Sequence, residues 1–103
     1  MLKLIADISE MIEEELEGAE NYIKHALKQK GVNDSLAKAF HEISVEEMEH
    51  VNILHNEVTK LIAEHRKTKG EPPAAMLAVY EYMHNKHIEK ANKIKHYQSQ
   101  FRE

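Results

Sequence analysis

Apolar residues recur every three or four positions along most of this chain, which is the spacing of one face of an α-helix. The pattern is interrupted twice, at Gly31 and at Gly70, and no stretch shows the two-residue alternation of a half-buried strand. We therefore predict an all-α protein with three long helices. The predicted helices cover residues 2–29, 35–67 and 74–101.

The residues at the two breaks are typical of helix ends. Gly31 suits the close of a helix, and the Asn-Asp-Ser sequence that soon follows offers oxygens that cap the next one. Gly70 and the two prolines after it separate the second helix from the third. Connections this short place successive helices antiparallel, in an up-down-up arrangement. A length of 103 residues is that of one domain, spanning residues 1–103.

Each of the first two helices carries ionisable residues in the middle of its predicted inward stripe. The first stripe comprises Ile5, Ile8, Ile12, Glu15, Ala19, Tyr22 and Ala26. The second comprises Leu36, Phe40, Ile43, Glu47, His50, Leu54, Val58, Leu61 and His65. The third helix is less regular, with Leu77, Tyr80, His84, His87 or Ile88, Ala91, Ile94 and Phe101. Because an unpaired buried carboxylate is costly, Glu15 and Glu47 need a partner.

Composition narrows the classes of function. The net charge of −4 provides no basic face for nucleic acid, and we expect no nucleic-acid partner. Charged residues interrupt the apolar N-terminal stretch too early for a signal peptide or a membrane span. We therefore expect a cytoplasmic protein that does not associate with a membrane. The absence of cysteine excludes disulfides and thiolate metal sites, whereas eight histidines supply imidazoles in abundance.

The ionisable residues of the first two helices should meet at one level. Glu15 precedes Gly31 by 16 residues and Glu47 follows Asp34 by 13, so they lie roughly 24 and 20 Å from the same loop. His50 follows Glu47 by three residues and emerges on the same helix face. Oxygen and imidazole ligands without thiolate suit iron or manganese, and zinc accepts them as well.

One chain supplies half of a known kind of ligand set. Dinuclear carboxylate sites in helical bundles take a Glu from each of two helices and Glu-x-x-His from each of two others. The first hairpin of this chain offers one Glu and one Glu-x-x-His, so two copies related by a two-fold axis would complete the set. We therefore expect a homodimer or a higher even-numbered homo-oligomer.

Two motifs carry a resemblance to the ferritin-like superfamily. Glu15-Leu-Glu-Gly-Ala-Glu-Asn-Tyr22 resembles the first-helix motif of bacterioferritins and rubrerythrins, and Ile43-Ser-Val-Glu-Glu-Met-Glu-His50 resembles their second-helix motif. The resemblance covers roughly residues 8–62. It implies a dinuclear iron site with Glu47 as bridging ligand and Tyr22 as a partner behind the ligands. Such sites oxidise ferrous iron or reduce oxygen or peroxide.

The chain departs from full-length members of that family, which carry a long crossover and a second ligand-bearing helix pair. Encapsulated ferritins are the closer analogy, since their short hairpin protomers pair to complete a site. The predicted assembly is therefore a four-helix bundle completed by dimerisation. The third helix would pack alongside it or exchange between subunits.

The third helix adds two further candidate ligands, His84 and His87, although their heights fit the level of His50 poorly. The remaining histidines are expected at surface or boundary positions with no ligand role: His25, His41, His55, His65 and His96. Two alternatives stay open. The protein could hold metal without turnover, or it could be a structural or regulatory helical module in which Glu15 and His50 pair with each other and set helix register.

Overall fold

The structure, a computed structural model, describes residues 2–103, and its regular secondary structure in that range is helical. Helix α1 spans Leu2–Gln29, α2 spans Asp34–Lys69 and α3 spans Ala74–Arg102. The predicted all-α class and the three helices are confirmed, with every helix end within two residues of its predicted place. No helix in the described range is both long enough and apolar enough to cross a bilayer.

Local side-chain and backbone chemistry ends and starts the helices at these residues. Gly31 has a positive φ of 83°, which L side chains rarely adopt, and its N–H donates to the Asp34 carboxylate at 2.7 Å. The Asn33 side chain caps α2 by accepting from the Leu36 N–H at 3.1 Å. Gly70, with φ of 80°, ends α2. These turns keep both connections to a few residues.

A single serine connects all three helices. The buried Ser44 hydroxyl of α2 donates to the Ala19 carbonyl of α1 at 2.7 Å and accepts from the Gln98 amide of α3 at 3.0 Å. Toward the other end of the hairpin, His50 of α2 lies beside Glu15 of α1. Contacting residues of α1 and α2 therefore follow opposite chain order.

The most buried line of each helix differs from the predicted stripe by a small rotation. On α1, Leu16 and Ile23 are completely buried, whereas the neighbouring Glu15 and Tyr22 are only half-buried. The reason is that α1 faces α2 and α3 together, so its most buried line lies between those two neighbours. The buried residues of α1 are Ile5, Ser9, Ile12, Leu16, Ala19, Ile23 and Ala26. Those of α2 are Ala37, Ser44, Met48, Val51, Val58 and His65.

Helix α3 covers only one side of the α1–α2 pair. It makes most of its contacts with α1, and its only buried residues are Ile94 and Gln98. The opposite side, which we call the open face, still exposes 48% of Leu4, 48% of Met11 and 38% of Leu36. By helical spacing the open face comprises Leu4, Ile8, Met11, Glu15, Gly18 and Tyr22 of α1 with Leu36, Phe40, Ile43, Glu47, His50 and Leu54 of α2.

Candidate functional site

The three predicted metal ligands come together on the open face. Nδ1 of His50 lies 3.3 Å from Oε2 of Glu15, across the interface of α1 and α2. Glu47 lies one helical turn from His50, and its carboxylate is close enough for Glu15 and His50 to influence its pKa. The Glu15 side chain is 31% exposed and that of His50 is 56% exposed. We call Glu15, Glu47 and His50 the open-face cluster.

A glycine on the facing helix makes room for Glu47. A Cβ atom built on Gly18 would lie 2.9 Å from Cδ of Glu47 and closer still to Oε2, so the carboxylate rests against the α1 backbone. Gly18 does not have a positive φ, and glycine in a helix interior costs about 1 kcal/mol relative to alanine. A side chain at position 18 would therefore take the space that the Glu47 carboxylate occupies. Sequence reasoning missed this residue, although a glycine inside a helix was a visible signal.

The electrostatics of the cluster favour a bound cation or a proton. Burial raises the pKa of Glu47, and the negative charge of Glu15 raises it further, while the charge of His50 lowers it. Two carboxylates thus share a partly dehydrated site with one imidazole to balance them. An added positive charge would relieve this repulsion, and both carboxylates still have lone pairs to offer it.

Tyr22 lies on the same face but does not bond to the cluster. Its ring packs against Phe40, with centroids 5.8 Å apart. Together with Gly18, Asn21 and His25, these two rings line a shallow groove of about 410 Å³. No hydrogen bond within residues 2–103 joins the Tyr22 hydroxyl to the cluster. A role for Tyr22 behind the ligands stays a prediction.

One chain does not form a complete metal site. Among residues 2–103, no group of three or more histidine, cysteine, aspartate or glutamate side chains is arranged to hold a metal ion. Within the cluster, the contact of the His50 ring is with Glu15, and no hydrogen bond in the described range joins His50 to Glu47.

The two further candidates, His84 and His87, lie elsewhere. They line a cavity of about 280 Å³ between the three helices, which we call the interhelix cavity. Its lining includes His55 but no member of the open-face cluster. Helix α3 therefore brings His84 and His87 to His55, a residue expected to have no ligand role. The placement of His55 depends on how α3 packs, which the sequence pattern of α2 does not reveal.

Comparison with protein-family models, with curated proteins and with solved structures finds no match to this chain. A function for this chain is therefore proposed from the geometry of the open-face cluster. Its two carboxylates and one imidazole are donor types found in sites for divalent cations, and they lie on a helix face that α3 leaves uncovered.

Proposed function

We propose that this chain is one half of a ferritin-like, dinuclear metal-binding protein, with iron as the metal. In this proposal α1 and α2 form an antiparallel hairpin, and two hairpins pair through their open faces into a four-helix bundle. Each copy contributes Glu15, Glu47 and His50 to a shared site. The observation that carries the proposal is the convergence of these three side chains on the open face, with Gly18 making room for one of them.

The composition of the open face supports pairing with a second copy. Leu4, Met11 and Leu36 are large apolar side chains that remain exposed on it, and burying them would be favourable. The same contact would cover the open-face cluster, and two copies would bring four carboxylates and two imidazoles together. That set is the one that dinuclear carboxylate sites in helical bundles use.

Within the shared site, Glu47 is proposed as the bridging ligand, Glu15 as a terminal ligand and His50 as the imidazole ligand. The contact between His50 and Glu15 orients both groups in the metal-free chain, and each would have to turn toward the metal. When bound, the metal would supply redox chemistry, namely the oxidation of ferrous iron by oxygen or peroxide. Manganese and zinc are compatible with the same donors.

A second candidate function is a helical module without metal-dependent activity. The 3.3 Å contact between Glu15 and His50 favours it, because that pair is what register control by polar residues requires. In a third hypothesis the protein binds the metal but does not catalyse the oxidation of iron. Iron binding without oxygen consumption would identify this case. The two metal-binding readings share the same ligands, so metal binding itself is the first question.

Anaerobic titration with ferrous iron tests the proposal. We expect saturation at about one iron per chain, and we expect Glu47→Ala to abolish it. Glu49→Ala is the matched control, since Glu49 is an exposed carboxylate on the same helix and should leave binding unchanged. Absence of saturable binding, or equal loss in both variants, would leave the open-face cluster with a structural role only.

A further inference from the structure

The interhelix cavity holds a second group of donors that the proposed function does not use. His55 comes from α2, and His84 and His87 come from α3. The rings of His55 and His84 are stacked, with centroids 4.8 Å apart and planes 12° apart. The ring of Tyr80 is also stacked with that of His84, with centroids 5.7 Å apart. Three imidazoles thus reach one space of about 280 Å³.

These imidazoles are available as ligands. No hydrogen bond within residues 2–103 engages the ring nitrogens of His55, His84 or His87. Burial lowers the pKa of His55 and that of His87, because it disfavours the charged form of each ring. His84 and His87 are three residues apart, so both project from the same side of α3.

We propose that the interhelix cavity binds one divalent ion of the imidazole-preferring class, with His55, His84 and His87 as its ligands. Neutral imidazoles without thiolate suit Zn²⁺, Co²⁺, Ni²⁺ and Cu²⁺. In the stacked arrangement the three rings do not surround a common point, so binding requires the His55 and His84 rings to turn until their nitrogens are about 2.0–2.1 Å from the ion. The cavity has room for this movement and for a water as fourth ligand.

Charged and polar residues near the three histidines determine the electrostatic environment of the proposed ion. Lys95 lines it, and Lys90 lies near enough to lower the pKa of His87. Glu13 of α1 acts in the opposite direction on His87 and supplies a nearby negative charge. Ser9 and Asn52 add neutral polar atoms to the lining.

Binding of an ion would strengthen the attachment of α3 to α2. The part of α3 from Ala74 to Lys93 contains no buried residue, so the contacts that hold it to α2 are few. An ion bridging His55 to His84 and His87 would join α2 to α3 at this level. Because binding favours the folded state alone, the ion should raise the thermal midpoint.

The test uses a chain carrying Glu15→Ala, Glu47→Ala and His50→Ala, in which no member of the open-face cluster can bind metal, so its outcome is independent of the proposed iron site. Co²⁺ is the probe, because its visible absorption reports coordination number and donor type. We expect one Co²⁺ per chain with the spectrum of nitrogen coordination. Even the loss of a group behind a ligand weakens metal affinity about 10- to 100-fold, so His55→Gln and His84→Gln should each weaken it at least tenfold.

His96→Gln is the matched control, since His96 is an exposed histidine of α3 outside the cavity, and it should bind Co²⁺ as the parent does. Far-ultraviolet circular dichroism verifies that each variant is folded, and His87→Gln replaces any that is not. Unchanged affinity in the His55 and His84 variants, or equal loss in the His96 variant, would overturn the proposal.

Discussion

The carboxylate of Glu47 on α2 lies against the backbone of Gly18 on α1, in space that a side chain at position 18 would occupy. The atoms that such a side chain would meet are the far end of a flexible glutamate, not backbone. A larger residue at position 18 would therefore move the carboxylate while leaving the helix pair in place. A substitution at position 18 can therefore change the position of Glu47, a proposed ligand, without lowering the stability of the fold.

Replacing Gly18 with alanine should weaken iron binding without destabilising the metal-free protein. The added methyl group displaces the Glu47 carboxylate, whereas the helix gains up to about 1 kcal/mol from its better helix former. Iron titration and thermal unfolding in a chelator measure the two effects. Glu17→Ala, an exposed change one residue away, is the control for a general effect on α1. Wild-type iron affinity in Gly18→Ala would show that the position of Glu47 is irrelevant to binding.

Replacing His50 with leucine distinguishes the metal site from the register hypothesis. The pair with Glu15 is partly solvent-exposed, so its loss should change the metal-free free energy of unfolding by no more than about 1 kcal/mol. If His50 is a ligand, the rise in thermal midpoint caused by ferrous iron should disappear. Thermal unfolding with and without iron measures both quantities. A stabilised metal-free variant that still responds to iron would favour register control.

The interhelix cavity should make metal-free stability depend on pH. Unfolded histidines take up protons near their ordinary pKa of 6.5, whereas burial holds the pKa of His55 and His87 below it. Below pH 6.5 the unfolded state therefore binds more protons than the folded state. The contribution of these two histidines to stability is fully present above pH 6.5 and is lost as the pH falls toward their folded-state pKa. Denaturant unfolding with chelator at pH 7.5 and pH 5.5 measures the change.

His55→Gln should reduce that pH dependence, because glutamine removes one titrating group from the cavity. His96→Gln is the control, as His96 is exposed and lies outside the cavity lining. An identical pH dependence in wild type and His55→Gln would mean that the loss of stability at low pH arises from other groups.

Ser44→Ala should destabilise the fold. The buried hydroxyl bonds to both Ala19 and Gln98, and its removal leaves the buried Gln98 amide without this acceptor. Such a loss costs about 1–3 kcal/mol, which denaturant unfolding resolves. Ser99→Ala, at an exposed position of α3, should change stability by far less. Equal effects of the two substitutions would contradict the view that Ser44 connects the three helices.

Much of the site could be predicted from sequence because it depends on local geometry. The helix-ending glycines and the period of apolar residues place the helices, and counting the helical rise from one loop puts Glu15 level with Glu47. His50 then follows from its three-residue spacing. These three residues do come together in the structure.

The rest depends on where α3 packs, which no single helix reveals. With α3 on one side, the most buried line of α1 passes through Leu16 instead of Glu15. The same packing brings His55 against His84, and it leaves the open face uncovered. The role of Gly18 also required the structure, because it depends on the direction of the Glu47 side chain across the helix interface.

Native mass spectrometry after anaerobic loading with ferrous iron tests the shared site most directly, because it counts chains and metal ions in the same particle. We predict a species of two chains with two irons, or an even multiple of it, and its loss with Glu47→Ala. A single chain that retains its own iron, or a dimer that carries none, would contradict a dinuclear site formed between two copies.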